Sequence, residues 1–252
     1  MHAKINETEW SGRDIKKDLL RSHIWAQLKS HHVAIGETVG HIPNFIGSDQ
    51  AANQLAESPL WKNARVIKCN PDSAQIPVRL RALLDGKRLY MAVPRLTTEQ
   101  CFVELTAKSL EDRGIDLVSA APHAGGVKFG TLISFEEMHP IDIVVTGCVA
   151  VSTQGGRTGK GAGFADLELG LLRQLSLVQS NTPIVTTVHP IQIVDHIHLP
   201  MVSHDWSLNL IATPDKVFST NFASPQPVGV NWEKIGLEQL EAIPILRKLK
   251  PM

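Results

Sequence analysis

The 252-residue chain is poor in cysteine and aromatic residues, and it has no excess of charge of either sign. Its 25 Lys and Arg residues balance 25 Asp and Glu residues, which argues against a protein that chiefly coats nucleic acid or an anionic membrane. Three scattered cysteines, in no CxxC pair, indicate neither a disulfide framework nor a zinc site. No apolar run approaches the roughly 20 residues of a membrane-spanning helix, and the polar N-terminus lacks a secretory signal. These features predict a cytoplasmic globular protein.

Apolar and polar segments alternate along the chain in a pattern typical of α/β proteins. Leu20, Ile24 and Leu28 recur every fourth residue and predict a first helix over residues 14–30. Residues 142–151 form a continuous apolar run, typical of a strand that is buried on both faces. The other predicted strands cover residues 64–69, 89–93, 183–188 and 208–212. This alternation predicts a three-layer α/β/α fold with a mostly parallel, Rossmann-like central sheet and a ligand at the carboxyl ends of its strands.

The chain is predicted to contain one domain, because no repeat, low-complexity tract or charge block divides it. The domain is placed at residues 13–222, with terminal extensions at residues 1–12 and 223–252. From Arg247 onward the chain is predicted to be loose.

A glycine-rich loop between the apolar run and a leucine-striped helix is the most informative segment. It reads Gly155-Gly156-Arg157-Thr158-Gly159-Lys160-Gly161-Ala162-Gly163-Phe164-Ala165-Asp166. Glycines let backbone N–H groups approach an anion, and the following helix directs its positive dipole end to the same place. Arg157 can bind two phosphate oxygens, Lys160 adds a mobile charge, and Asp166 offers a carboxylate to magnesium. The loop therefore predicts a phosphate site.

Neither of the two common phosphate-binding motifs fits this loop. A Walker A loop requires Ser or Thr after its Gly-Lys pair, whereas Gly161 follows Lys160 here. A dinucleotide fingerprint requires Gly-x-Gly-x-x-Gly, whereas Gly159, Gly161 and Gly163 occupy every second position. The alternative to a phosphate site is a solvated surface loop, which seldom has this glycine density between a buried strand and a helix.

The loop resembles the signature Gly-x-Arg-Leu-Gly-Tyr-Gly-x-Gly-Tyr-Tyr-Asp of the 5-formyltetrahydrofolate cyclo-ligase family, also called methenyltetrahydrofolate synthetases. Lys160, Ala165 and the following Leu167-Glu168 are similar to one branch, the methenyltetrahydrofolate synthase domain-containing proteins. The resemblance covers about residues 17–220. It implies an enzyme of one-carbon metabolism in which ATP phosphorylates the formyl oxygen of 5-formyltetrahydrofolate. A neighbouring folate nitrogen then closes the ring and phosphate leaves, which yields 5,10-methenyltetrahydrofolate.

The resemblance also implies the residues of a site for ATP and magnesium. Arg157 and Lys160 would be the catalytic residues. In the family a Lys and an Arg four residues apart on the first helix bind ATP, and Lys17 and Arg21 match that spacing. The remaining ATP-binding residues would come from the loop: Gly155, Arg157, Gly159, Lys160, Gly161, Gly163 and Phe164. Taken alone, such a pair is more often an ordinary cationic helix face, and the glycine-rich loop later in the chain favours the ATP-binding role.

Magnesium would be held by Asp166 and by Asn209, which stands where the family has an Asp. An amide oxygen binds a hard cation less strongly than a carboxylate does.

The departures from the family concern the folate half of the site. Where cyclo-ligases carry a Glu that grips the folate, this chain has Ser73-Ala74-Gln75-Ile76. Gln75, Phe164 and Trp206 are the predicted substrate-binding residues. Phe164 and Ala165 replace two tyrosines, which removes a hydroxyl group and an aromatic wall.

Three functions are consistent with these departures. The chain is a cyclo-ligase whose ligands are ATP and a folate-like small molecule, or a paralogue that uses ATP on a different metabolite, or a non-catalytic nucleotide- or RNA-binding module. The neutral net charge speaks against RNA. The sequence predicts no particular oligomeric state.

Four histidines, namely His189, His196, His198 and His204, fall within sixteen residues. If residues 196–198 formed a strand, two of the rings would share one face. No carboxylate or thiol is spaced to complete a zinc ligand set, so zinc is only an alternative. Cys148 lies in the apolar run and is predicted to be a core thiol rather than a nucleophile.

Overall fold

The structure is a computed structural model that describes residues 14–93, 96–220 and 226–251. The helices are α1 (Ile15–Ser30), α2 (Ser48–Glu57), α3 (Pro59–Asn63), α4 (Ile76–Leu84), α5 (Ala107–Glu111), α6 (Leu117–Ala120), α7 (His123–Phe129), α8 (Phe164–Gln174), α9 (Leu237–Ala242) and α10 (Pro244–Leu249). The strands are β1 (Ala34–Ile35), β2 (Asn44–Phe45), β3 (Val66–Cys69), β4 (Arg88–Ala92), β5 (Phe102–Leu105), β6 (Thr131–Ile133), β7 (Ile143–Val145), β8 (Ala150–Ser152), β9 (Arg157–Thr158), β10 (Ile184–Thr187), β11 (Ile193–Val194), β12 (Leu210–Ala212) and β13 (Val217–Ser219). None of these helices is long and apolar enough to cross a membrane.

An eight-stranded sheet forms the middle layer, in the order β13-β12-β10-β7-β3-β4-β5-β6. Its five central strands β12, β10, β7, β3 and β4 are parallel, and the strands at the two edges are antiparallel. Numbered among themselves, the parallel strands run 2-1-3-4-5, which is one of the two common doubly wound orders. The predicted three-layer, mostly parallel fold is therefore confirmed. The strand order reverses between β3 and β7, where such folds bind ligands.

Both faces of the central strands are covered by apolar residues. Ile67 of β3 and Val145 of β7 belong to the cluster that contains α2 and α4. Val144 of β7 and Ile184 of β10 belong to the cluster that contains α8. Alternate residues of one strand thus enter opposite cores, as expected for a parallel sheet between two helical layers.

The apolar run at residues 142–151 is not one strand, as predicted, but two. β7 ends at Val145, and β8 begins at Ala150 in a separate three-stranded sheet of order β11-β8-β9. The chain leaves the first sheet at Gly147, where a Cβ atom would lie only 2.9 Å from Oδ2 of Asp72. Every residue of both strands is buried, so hydrophobicity alone did not reveal the break.

The predicted first helix is confirmed as α1. The Asp14 carboxylate accepts hydrogen bonds from the backbone N–H groups of Lys16 (2.7 Å) and Lys17 (3.2 Å) and so caps the helix. Its apolar stripe, which includes Ile24 and Leu28, packs with β2 and β8 in a third cluster. The helix is thereby fixed beside β8, the strand that leads toward the glycine-rich loop.

The C-terminal segment packs on the core. Residues 244–249 form α10, so the prediction of a loose chain from Arg247 is wrong within the described residues. Ile243 and Leu246 are fully buried in the cluster that contains α8. The predicted N-terminal extension, residues 1–12, and the domain boundary at residue 222 lie outside the described residues.

Candidate active site at the carboxyl edge of the sheet

The glycine-rich loop is held between β9 and α8. Gly163 has φ +71° and is the N-cap of α8, and no side chain among the described residues caps this helix. The first helical hydrogen bond runs from Leu167 N–H to Gly163 O at 3.1 Å. No described heavy atom lies within 4 Å of the position that a Cβ atom would take on Gly159 or Gly163. The backbone of the loop therefore borders open space at a helix N-terminus, which is the geometry of an anion site.

Arg157 and Asp166, both predicted site residues, are in contact. Nη2 of Arg157 donates to Oδ1 of Asp166, which also accepts from the backbone N–H of Trp206 at 3.1 Å. Arg157 is only 3% exposed, and its Nε has no hydrogen-bond partner among the described residues. Because an unsatisfied buried donor is unfavourable, this N–H is available to a ligand oxygen.

The two cations of α1 that were predicted to bind ATP, Lys17 and Arg21, lie near the loop. Arg21 donates from Nε to Gly159 O at 2.7 Å and from Nη2 to Thr158 Oγ1 at 2.8 Å. Lys17, one turn earlier, forms an ion pair with Asp205. Both side chains are buried, which contradicts the alternative of an ordinary cationic helix face exposed to solvent.

Lys160 joins the loop to the point where the strand order reverses. Its Nζ lies 3.8 Å from Oδ1 of Asp72, which follows β3, and its side chain is half-exposed. The four cations of the site each face a carboxylate, in the pairs Lys17–Asp205, Arg21–Asp18, Arg157–Asp166 and Lys160–Asp72. The charged side chains around the loop therefore balance one another.

Gln75 forms the second half of the site. It is fully buried, and neither Oε1 nor Nε2 has a hydrogen-bond partner among the described residues. A Cβ atom on Gly147 would lie 3.0 Å from Oε1 of Gln75 and 2.9 Å from Oδ2 of Asp72, so both side chains converge over this glycine. A buried amide without a partner is expected only where a ligand or water completes its hydrogen bonds.

Two buried hydroxyl groups follow the same edge of the sheet. Oγ1 of Thr146, after β7, and Oγ1 of Thr187, at the end of β10, have no partner among the described residues. β7 and β10 are parallel neighbours, with Val185 paired to Val145, so both hydroxyl groups lie at the carboxyl ends of these strands. Unsatisfied polar groups thus occupy the carboxyl ends of adjacent strands.

Arg79 and His123 also belong to this edge and were not found from the sequence. Arg79 of α4 is fully buried, and it donates from Nε to Ala121 O at 2.7 Å and from Nη1 to Asp72 O at 3.1 Å. Nη2 of Arg79 and Nε2 of His123 have no partner among the described residues. The sequence signal for Arg79 is a cation among the apolar residues of α4, four residues after Gln75.

A buried ion pair lies beneath the site. Lys68 of β3 pairs with Glu168 of α8, and Lys68 Nζ also donates to Oδ1 of Asn70 at 2.6 Å. Both charged side chains are more than nine-tenths buried. The pair ties the helix that follows the loop to the central strand, and it too was missed from the sequence.

Three predicted site residues make contacts with the rest of the protein. The side-chain oxygen of Asn209 accepts from Ile184 N–H at 2.8 Å at the start of β10, so it caps a strand. Trp206 is only 2% exposed and packs in the core cluster rather than lining a cavity. Phe164, the first residue of α8, packs partly buried against the same cluster.

The histidines form no metal centre. No group of three or more His, Cys, Asp or Glu residues that could hold a metal ion exists within the described ranges. His196 and His198 lie in a 3-10 turn, not in a strand as the zinc alternative required. The Nδ1 atom of His189 accepts from Ile191 N–H at 3.2 Å, and burial lowers the pKa of this imidazole.

The cysteines lie in the core. Burial raises the pKa of the Cys69 and Cys148 thiols to about 11 and that of Cys101 to about 12. A thiol that is protonated at neutral pH is a poor nucleophile, and Cys148 is fully buried as predicted.

Fold and site together define a doubly wound α/β protein with a glycine-rich loop, a candidate anion site, before α8 at the carboxyl edge of its sheet. Residues 13–214 match the family model described as the 5-formyltetrahydrofolate cyclo-ligase family. The chain is 37% identical to the methenyltetrahydrofolate synthase domain-containing protein of Mus musculus, in an alignment of 238 residues that covers 94% of the chain. It is 32% identical to that of Danio rerio, in an alignment of 254 positions, gaps included, that covers 99% of the chain. It spans 63% and 64% of the length of these relatives.

The solved structure of Aquifex aeolicus 5,10-methenyltetrahydrofolate synthetase has the same fold, with a TM-score of 0.53 and 17% identity over 84% of this chain and 95% of that one. The chain belongs to the 5-formyltetrahydrofolate cyclo-ligase family.

Proposed function

We propose that the chain catalyses the ATP-dependent conversion of 5-formyltetrahydrofolate to 5,10-methenyltetrahydrofolate. The observation that carries this proposal is the arrangement of two unlike half-sites at one edge of the sheet. One half is a glycine-rich loop at a helix N-terminus, with cations that are each paired to a carboxylate, and it is suited to a polyphosphate with its metal ion. The other, across Asp72, is a set of buried polar groups around Gln75 with hydrogen-bonding atoms left unused, suited to a polar heterocycle. Membership of the cyclo-ligase family supports the assignment of the reaction.

The nucleotide half would bind the phosphates of ATP. Gly159 and Gly163 leave space for an anion beside the N-terminus of α8. The buried Arg157 has an unused Nε donor, and the half-exposed Lys160 can move toward a phosphate. A guanidinium fork and a mobile ammonium are complementary ligands for such a group.

Magnesium fits the same half-site. Asp166 and Asp72 bring carboxylates to either side of the loop, and carboxylate oxygens are preferred magnesium ligands. Asn209 remains a prediction only, since its amide oxygen accepts from Ile184 N–H at the start of β10, the end of the strand away from the carboxyl edge of the sheet. Magnesium would neutralise charge on the phosphates, while Arg157 and Lys160 would orient them.

The reaction places modest chemical demands on the side chains. The formyl oxygen attacks the γ-phosphorus of ATP and ADP leaves; the neighbouring folate nitrogen then forms a bond to the formyl carbon. That nitrogen loses its proton, the C–O bond breaks and phosphate departs. In such a sequence a protein acts mainly by positioning the reactants and stabilising charge. A rigid loop beside a separate polar pocket would provide both the positioning and the charge stabilisation.

The decisive experiment follows the absorbance of the methenyl product when the purified protein is mixed with ATP, magnesium and 5-formyltetrahydrofolate. Turnover by the wild-type chain is expected. Arg157→Lys keeps the charge but removes the fork, so kcat/KM should fall by roughly 10²-fold, as for the loss of one transition-state donor. Lys108→Ala, on an exposed pair remote from the loop, is the control and should change nothing. Wild-type protein that binds ATP without forming product excludes this substrate.

A different metabolite is the second candidate, because Gln75 offers a neutral amide where cyclo-ligases carry a carboxylate. In that case ATP hydrolysis should be stimulated by another formylated or heterocyclic compound and not by 5-formyltetrahydrofolate. A screen of such compounds for stimulated ADP release separates the two candidates. Stimulation by none of them argues against this second one.

A further inference from the structure

We propose that His123 is a substrate-binding residue, which, together with Arg79 and Gln75, hydrogen-bonds the uncharged polar edge of the second substrate. The inference rests on the proposed function and extends it to a residue that the sequence motifs do not include. It concerns the half of the site away from the glycine-rich loop.

The first observation is that three polar side chains from three elements are left incomplete in the same region. Gln75 lies in the turn before α4, Arg79 lies on α4 and His123 begins α7. Gln75 and Arg79 are fully buried. Among the described residues, Oε1 and Nε2 of Gln75, Nη2 of Arg79 and the buried Nε2 atom of His123 have no hydrogen-bond partner. Buried polar atoms in native proteins are normally hydrogen-bonded, so a shared ligand accounts for all of them at once.

Arg79 brings the three groups together. It donates to the carbonyl oxygens of Asn70 and Asp72 at the end of β3, and from Nε to Ala121 O at 2.7 Å, just before α7. One side chain thus connects the edge of the sheet, where Asp72 and Gln75 converge over Gly147, to the segment that carries His123. The segment that carries His123 is therefore held near the carboxyl end of β3 by the hydrogen bonds of Arg79.

The backbone around His123 is tightly fixed by small residues. A Cβ atom on Gly125 would lie 1.8 Å from Ser119 O, and one on Gly126 would lie 2.6 Å from Cε of Met91. These contacts allow α7 to pack closely against α6 and β4. A residue placed on such a rigid support is suited to recognition, because its orientation is set before the ligand binds.

The charge state of this pocket indicates what it recognises. Burial lowers the pKa of His123, the neighbouring Arg79 lowers it further, and Asp72 opposes both effects. The imidazole is therefore neutral at pH 7 and offers one donor and one acceptor. With the Gln75 amide and the unused N–H of Arg79, whose charge lies near Asp72, the pocket offers both donors and acceptors to the ring carbonyl and N–H groups of a heterocycle. A phosphate would instead bind at the glycine-rich loop.

Steady-state kinetics with both substrates tests the proposal. His123→Ala should raise KM for 5-formyltetrahydrofolate roughly tenfold, the effect of one lost buried hydrogen bond, while KM for ATP changes less than about twofold. His123→Gln, which can place an amide near the former Nε2, should recover most of the loss. His139→Ala alters an exposed imidazole and is the matched control. A KM for the folate that is unchanged in His123→Ala overturns the proposal.

A second measurement follows ligand binding in the wild-type chain and needs a variant only to assign the resonances. The ¹⁵N resonances of the His123 imidazole, assigned by comparison with His123→Gln, should shift when 5-formyltetrahydrofolate is added. They should not shift with ATP alone. No shift at saturating folate overturns the role of His123 and leaves the proposed function intact. Wild-type protein that neither binds nor converts the folate instead refutes the proposed function, and this inference with it.

Discussion

At the scale of single residues, the cations of the site are already paired with carboxylates. Arg157 and Lys17 are buried beside Asp166 and Asp205. A polyphosphate that entered this site would therefore compete with carboxylates for the same donors. Magnesium can bind the carboxylates that such competition releases, so ATP should bind much more tightly with magnesium than without it.

The buried pair Lys68–Glu168 gives a prediction at this scale. Lys68→Met leaves Glu168 charged and unpartnered in the core, so the free energy of unfolding should fall by about 3 kcal/mol. The double variant Lys68→Met/Glu168→Met removes both charges and should be less destabilised than the single variant. Urea denaturation measures both effects.

The control for this prediction is the exposed pair Lys108–Asp112, where Lys108→Ala should change stability by less than about 0.5 kcal/mol. A double variant that is destabilised by the sum of two large single effects would show that Lys68 and Glu168 act independently.

At the scale of helices and strands, the hydrophobic pattern predicted the parallel strands and the two main helices of the site well. It did not predict the antiparallel strands β5, β6 and β13, which complete the edges of the sheet. It also joined β7 and β8, because the break at Gly147 depends on how closely Asp72 and Gln75 approach from another part of the chain. Contacts between distant segments leave no periodic signal in either one.

The loop carries a prediction at this scale. Gly163→Ala places a side chain at φ +71°, which should reduce stability by about 1 kcal/mol and shift the first turn of α8. Since displaced binding groups lose much of their effect, KM for ATP should rise by about tenfold. Gly36→Ala is a matched control, because Gly36 has φ +74° and is equally free of neighbours within 4 Å. Both variants should lose similar stability, and only Gly163→Ala should affect ATP. Equal KM values for ATP in the two variants would argue against the loop as the nucleotide site.

At the scale of the whole molecule, the fold class and the position of the glycine-rich loop between a buried strand and a helix were predicted from the sequence, and the family was predicted from the motif in that loop. The polar pocket was predicted only at Gln75. Arg79 and His123 are 44 residues apart in the sequence, and they come near each other only because Arg79 of α4 binds the Ala121 carbonyl that precedes α7. The contribution of the C-terminal segment to the core was not predicted either, because its few apolar residues, such as Ile243 and Leu246, form no clear helical periodicity.

The C-terminal segment yields the prediction for the molecule as a whole. Leu246→Ala removes a fully buried side chain from the cluster that contains α8 and should lower the free energy of unfolding by about 3 kcal/mol. Leu237→Ala, on a side chain that is mostly exposed, should leave it nearly unchanged. Thermal or urea unfolding compares the two. Equal stability of both variants would mean that the segment is an appendage to the domain.

The ion pair between Lys17 and Asp205 joins positions 188 residues apart. Closing so long a loop early is entropically unfavourable, and distant pairings of this kind slow folding. During synthesis, moreover, α1 leaves the ribosome long before its partner exists. The contact of α1 with the segment around Asp205 therefore cannot form until residue 205 has been translated, so it follows the local packing of α1 on β2 and is one of the later steps in the folding of this domain.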